Sequence, residues 1–132
     1  MESLPAEILV LALGVVLLFV HTTLQGMLAT KERGSQWNAG PRDGEAKPLG
    51  VHAGRAQRAL DNFKETFPAF IALALALSVT QRTGGIGAVG AWLWLVARIA
   101  YIPLYLLGVP YVRSLVWLAS LLGLVLMLIR LF

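Results

Sequence analysis

The sequence predicts an all-α integral membrane protein, a bundle of four helices, on three observations. Hydrophobic residues make up 58% of the 132-residue chain, with mean hydropathy +0.73 and only 14% charged residues. A soluble domain of this size needs far more polar surface to cover its core. The apolar residues fall into four long segments, and the charges are segregated from them. Twelve Lys, Arg, Asp and Glu residues lie from Lys31 to Glu65, and only four, all Arg, follow. The net charge of +4 therefore reflects one basic loop and a few arginines at membrane edges, not a nucleic-acid surface.

The first segment, Ile8 to Thr30, has 23 residues without a formal charge. At about 1.5 Å per residue it crosses a hydrocarbon core of roughly 30 Å. Met1 to Glu7 carries two acids and no base, and no small-residue cleavage site follows. The segment therefore reads as a retained helix, not a signal peptide. Lys31 to Gly54 is polar and rich in Gly and Pro, which makes it a loop within one domain.

The second segment decides the architecture. Its uncharged part, Thr66 to Gln81, has 16 residues and is short for a crossing. Extension back to about Arg55 supplies the length and draws Asn62 and Glu65 below the headgroups. Arg82 to Gly87 is a Gly-rich turn, the third segment holds Arg98 near its middle, and Gly108-Val109-Pro110 turns into the fourth. The expected organisation is one domain, 1–132, with helices about 6–30, 55–81, 87–107 and 111–131 and a loop about 31–54. Seven Lys and Arg surround the first loop against Arg82 alone in the second, so the positive-inside rule puts the first loop in the cytoplasm.

The candidate site starts from Arg55, Arg58, Asn62 and Glu65, which share an arc of about 80° on one helix face. Arg98, Tyr101 and Tyr105 share about 60° on the third helix. Charged groups within a membrane face protein or water and mark functional positions. Depth counting from the loop end places Glu65 level with Arg98, and the two are expected to form an ion pair, within one subunit or across two. Pro68 and Pro103 free the carbonyls of Lys64 and Ile99, and kinks there open space between helices. His21 and Gln25 read as interhelical hydrogen-bonding groups, and Trp92, Trp94 and Trp117 as lipid-facing or interfacial packing. With no cysteine, thiol chemistry requires a thiol brought by a substrate. His21 and His52 stand alone, without metal-ligand spacing.

These residues resemble the MAPEG family, the membrane-associated proteins in eicosanoid and glutathione metabolism. The family's Arg-x-x-x-Asn-x-x-Glu pattern followed by Pro is matched by Arg58, Asn62, Glu65 and Pro68. ARIAYIPLY supplies Arg98, Tyr101 and Tyr105, VPYVRS supplies Arg113 and Ser114, and the loop phrase WNAGPRD is similar to the bacterial branch. The resemblance implies a homotrimer in a bacterial inner membrane, with glutathione as co-substrate between neighbouring subunits near the cytoplasmic face and no metal. By that resemblance Arg55, Arg58, Asn62, Glu65, Arg98, Tyr101 and Tyr105 bind glutathione, while Arg113 and Ser114 stabilise its thiolate. One departure stands out: where eukaryotic relatives often carry a His and a basic residue before the Asn, this chain has Leu60 and Asp61, an acid opposed to a glutathione carboxylate.

The function expected is a glutathione-dependent transferase or peroxidase acting on lipophilic electrophiles from the surrounding lipid. A non-catalytic lipid-binding or scaffold protein of the same fold is the alternative. A small proton-coupled multidrug exporter fits less well, because such transporters carry an essential Glu within helix one, and Ile8 to Thr30 holds none.

Overall fold

A computed structural model describes residues 3–132; Met1 and Glu2 lie outside the described residues. It contains α1 (Ala6–Arg33), α2 (Ser35–Ala39), α3 (Val51–Val79), α4 (Gly85–Leu106) and α5 (Val112–Leu131). The four long helices have 28, 29, 22 and 20 residues and are long and apolar enough to cross a membrane. α1 packs on α3 and α4, and α5 packs on α4 and α3, with the α4–α5 contact the most extensive. α1 and α5 therefore lie on opposite sides of the bundle. Outward-facing Phe19, Val96, Leu115 and Leu122 are exposed, a surface suited to acyl chains rather than water.

Helix ends follow local chemistry. Pro5 precedes α1, where its fixed φ is compatible with a helix start, and its carbonyl accepts from Ile8 and Leu9. Lys31 and Arg33 occupy the last turn, the end at which a helix dipole favours cations. α1 thus runs beyond the expected Thr30, and Gly34, with φ +91°, ends it. The loop is more structured than its composition implies. It contains α2, and Arg42 donates to Asn38 O at 2.9 Å and Asn38 Oδ1 at 2.6 Å, closing the WNAGPR turn. Glu32 Oε2 accepts from the Gly50 N–H at 2.6 Å, which ties the start of α3 to the end of α1 and lets α3 begin at Val51. Pro68 and Pro103 both sit inside helices that continue past them.

The core is aromatic. Phe63, Phe67 and Phe70 recur at helical spacing on α3 and meet Trp94 of α4, with the Phe70–Trp94 rings stacked at 4.1 Å. Trp94 is fully buried, so it is a core residue and not the lipid-facing one its hydrophobic surroundings suggested. Its neighbour Trp92 does face outward. His21 is also buried, with its ring 4.9 Å from that of Phe63 and Nε2 without a partner among the described residues. It packs against an aromatic face instead of making the expected interhelical bond through that nitrogen. Gln25 lines a small cavity of about 200 Å³ with Arg33, Trp37 and Arg42 beside the loop.

Two features hold the end of the bundle remote from this loop. α4 and α5 cross in backbone contact at Gly90 and Gly123: a Cβ at Gly90 would strike the Gly123 carbonyl oxygen, and one at Gly123 would lie 2.8 Å from the Trp94 nitrogen. At the α3–α4 turn, the fully buried Glu7 accepts from the Gly84 N–H at 2.8 Å. Arg130 donates to the Arg82 carbonyl at 2.9 Å, and Arg82 to that of Leu131. Carbonyls and N–H groups that a helix cannot satisfy at its own end are thereby paired.

Gly90→Ala and Gly123→Ala are each expected to lower stability by about 1–3 kcal/mol through overpacking. Because both separate the same two backbones, the double variant should lose less than the sum of the singles. Thermal unfolding of the detergent-solubilised protein, followed by tryptophan fluorescence, measures this; unchanged midpoints would contradict the close crossing. Glu7→Ala, which strands the Gly84 N–H, should cost about 1–3 kcal/mol in the same assay. Glu7→Gln keeps an acceptor and should recover much of that loss.

Candidate functional site

An open, polar cavity of about 430 Å³ lies between α3, α4 and α5, towards the end of the bundle that carries the long loop. That volume falls in the range typical of small-molecule sites. α3 contributes Arg58, Asp61, Asn62 and Glu65, α4 contributes Tyr101 and Tyr105, and α5 contributes Arg113, Ser114 and Trp117. Three- and four-residue spacing puts each group on one face of its helix, and the three faces converge.

Tyr105 organises the cationic side. The Arg113 guanidinium carbon lies 4.8 Å from its ring centroid and that of Arg58 lies 6.0 Å away, so both cations meet the negative face of one ring. Tyr101 and Tyr105 rings are tilted at 60° with centroids 5.5 Å apart. Gly54, one turn before Arg58, leaves the space its guanidinium occupies: a Cβ there would stand 3.2 Å from Nη1.

Arg98 lies behind the cavity. It is fully buried, its guanidinium sits 4.4 Å from the Tyr101 ring and 5.5 Å from that of Phe63, and Nη1 donates to Asn62 Oδ1 at 2.8 Å. Its Nε and Nη2 have no hydrogen-bond partner among the described residues. Within the chain the expected Glu65–Arg98 ion pair does not form: Arg98 bonds Asn62 instead, and Glu65 stays exposed at the cavity. The bond also orients Asn62: with Oδ1 held by Arg98, its NH₂ end is left for other partners. Arg98 thus supports Asn62 and Tyr101 rather than lining the cavity itself.

Arg55 also stands outside the lining. Its Nη1 donates to the Leu106 carbonyl at 3.0 Å, and the guanidinium packs against Gly108, whose φ is +69°. It satisfies an otherwise orphan carbonyl at the C-terminus of α4 and complements that helix's dipole.

Of the residues singled out from the sequence, Arg58, Asn62, Glu65, Tyr101, Tyr105, Arg113 and Ser114 come together around one cavity, while Arg55 and Arg98 brace its walls. Two lining residues were missed as such. Asp61 lies one turn before Glu65 and about 40° from it around α3, so helical spacing could have added it. Trp117 follows Arg113 by four residues and presents the same signal, obscured by the lipid-facing or interfacial role expected of it along with Trp92 and Trp94. The lining carries two guanidiniums and two carboxylates, so the cavity can receive a ligand with both signs of charge.

No curated protein and no solved structure matches the chain. The MAPEG family model matches residues 8–132, nearly the whole length, including every residue of the cavity. Taken with four helices capable of crossing a bilayer, this makes the molecule an integral, multi-pass membrane protein. The chain belongs to the MAPEG family.

Proposed function

We propose that this protein is a glutathione-dependent transferase or peroxidase acting on lipophilic electrophiles dissolved in the membrane. The observation that carries the reading is the convergence of Arg58, Asn62, Glu65, Tyr101, Tyr105, Arg113 and Ser114 on one cavity from three helices. Glutathione has two carboxylates, an ammonium and a thiol. Guanidiniums suit the carboxylates, a carboxylate suits the ammonium, and the amide of Asn62 suits a peptide group. In this reading Arg113 and Ser114 face the sulfur. A guanidinium stabilises the thiolate over the thiol and so increases the nucleophilic fraction. In the transferase reaction the thiolate sulfur forms a bond to an electrophilic carbon, whose leaving group departs with the bonding electrons. In the peroxidase reaction sulfur attacks the hydroperoxide O–O bond and takes one oxygen, releasing an alcohol. A second glutathione then displaces water from the sulfenic acid and gives the disulfide.

The same reading includes a homotrimer with the long loop cytoplasmic, in a bacterial inner membrane. The open cavity supports association alone, since a neighbouring copy would close a site that one chain leaves unwalled; the loop orientation rests on the seven Lys and Arg around it. The exporter reading is set against an acid-free Ile8 to Thr30, and α1 begins just before that stretch. The one acid in α1 outside its last turn is Glu7, in the first turn, and it is engaged with the α3–α4 turn.

Arg58→Ala and Glu65→Gln are expected to weaken glutathione binding about ten- to a hundredfold, as for loss of one charge-assisted hydrogen bond. Calorimetric titration of the detergent-solubilised protein measures this, and absence of saturable binding to the wild type would overturn the proposal. Arg113→Ala should leave glutathione bound but lower the thiolate fraction at neutral pH about tenfold or more. The readouts are thiolate ultraviolet absorbance and conjugation rate. An Arg113→Ala protein with unchanged thiolate and turnover would point to the non-catalytic, lipid-binding alternative.

A further inference from the structure

The distribution of charge within the cavity separates two functions that one sequence stripe had merged. Both lining guanidiniums are drawn to Tyr105, at 4.8 Å for Arg113 and 6.0 Å for Arg58. The two lining carboxylates, Asp61 and Glu65, lie on α3 four residues apart and accept no hydrogen bond from any arginine or lysine among the described residues. Like charges at this spacing are neighbours, about 5–6 Å apart at Cβ, and disfavour one another. Asp61 is nevertheless held in place: Gln57, one turn earlier, donates from Nε2 to Asp61 Oδ1 at 3.0 Å. Oδ2 accepts no hydrogen bond among the described residues.

We infer that Asp61, positioned by Gln57 and paired with Glu65, is a specificity determinant that makes this site require a thiol co-substrate bearing a free α-ammonium group. The inference rests on the glutathione reading above and adds to it the feature by which the tripeptide is selected. An ammonium between the two carboxylates relieves their mutual repulsion and has enough donors for both. The α-carboxylate of the same amino-acid head then lies towards the guanidiniums around Tyr105. Asp61 alone would repel a carboxylate, but the arrangement turns it into a discriminator: a co-substrate with the ammonium gains from Asp61, and one without it pays electrostatically. γ-Glutamyl thiols with an unblocked amino group are the favoured class, and N-blocked or deaminated thiols are disfavoured.

The test compares glutathione with its deaminated analogue, glutaryl-cysteinyl-glycine, which keeps both carboxylates and the thiol. Binding is titrated to the full chain in detergent or nanodiscs, for the wild type, Asp61→Asn and Asp61→Glu. The wild type should prefer glutathione about tenfold or more, Asp61→Asn should lose most of that preference, and Asp61→Glu should keep it. Asp61→Asn should bind the analogue as well as or better than the wild type does, which also shows that the variant is folded. Asp61 is exposed, so the fold does not depend on it. The inference is overturned if the wild type binds the two thiols equally. It is overturned too if Asp61→Asn strengthens both by the same factor, the signature of simple repulsion. A wild type that binds neither thiol overturns the glutathione reading itself, a distinct result.

Discussion

A guanidinium buried between membrane-crossing helices is the constraint on which this architecture turns. Arg98 is among the largest fully enclosed side chains in the molecule. A charge so placed is tolerated only with polar or aromatic company. Asn62 supplies a carbonyl oxygen, and Phe63 and Tyr101 supply ring faces. These contacts lock α3 and α4 into one relative depth and rotation. The residues that flank them in sequence, Arg58 and Glu65 on one helix and Tyr105 on the other, are thereby carried to a shared cavity.

Support from behind also explains why the site can be polar without dissolving the bundle. Below Arg98 the Phe63, Phe67, Phe70 and Trp94 rings form a continuous aromatic column. Gly14 on α1 makes room for it, since a Cβ there would stand 2.9 Å from the Phe67 ring. The polar cavity is thus a cap over a dry, close-packed interior. Arg55 performs the matching task at the turn between α4 and α5, where it ties the end of one wall to the helix that forms another.

Much of this was legible in the chain, for reasons that can be stated. A helix repeats its faces every few residues, so Arg58, Asn62 and Glu65, or Tyr101 and Tyr105, announce a common direction without any knowledge of neighbours. What periodicity cannot resolve is which member of a stripe meets a group across the gap. Asn62 and Glu65 differ by only three residues, about 4.5 Å of rise, which is finer than depth counting from uncertain helix ends allows. Depth counting and the attraction of opposite charges therefore favour the acid as the partner of Arg98, whereas within the chain it is the Asn62 amide that accepts its hydrogen bond. Trp94 was misplaced for another reason: on a helix apolar on every side, composition does not tell the lipid face from the core. The five-residue α2 escaped notice because it is shorter than two turns and leaves no period to read.

The glycine crossing of α4 over α5 gives those helices unequal ends. At Gly90 and Gly123 the rods touch main chain to main chain, whereas at the cavity end a short turn through Gly108 joins them and the Arg113 guanidinium lies over the Tyr105 ring. The hairpin is thus clasped twice, by bare backbone at one end and by covalent continuity at the other. The wall it lends the cavity is braced from both sides, which leaves α3 as the face of that cavity not tied into the same clasp.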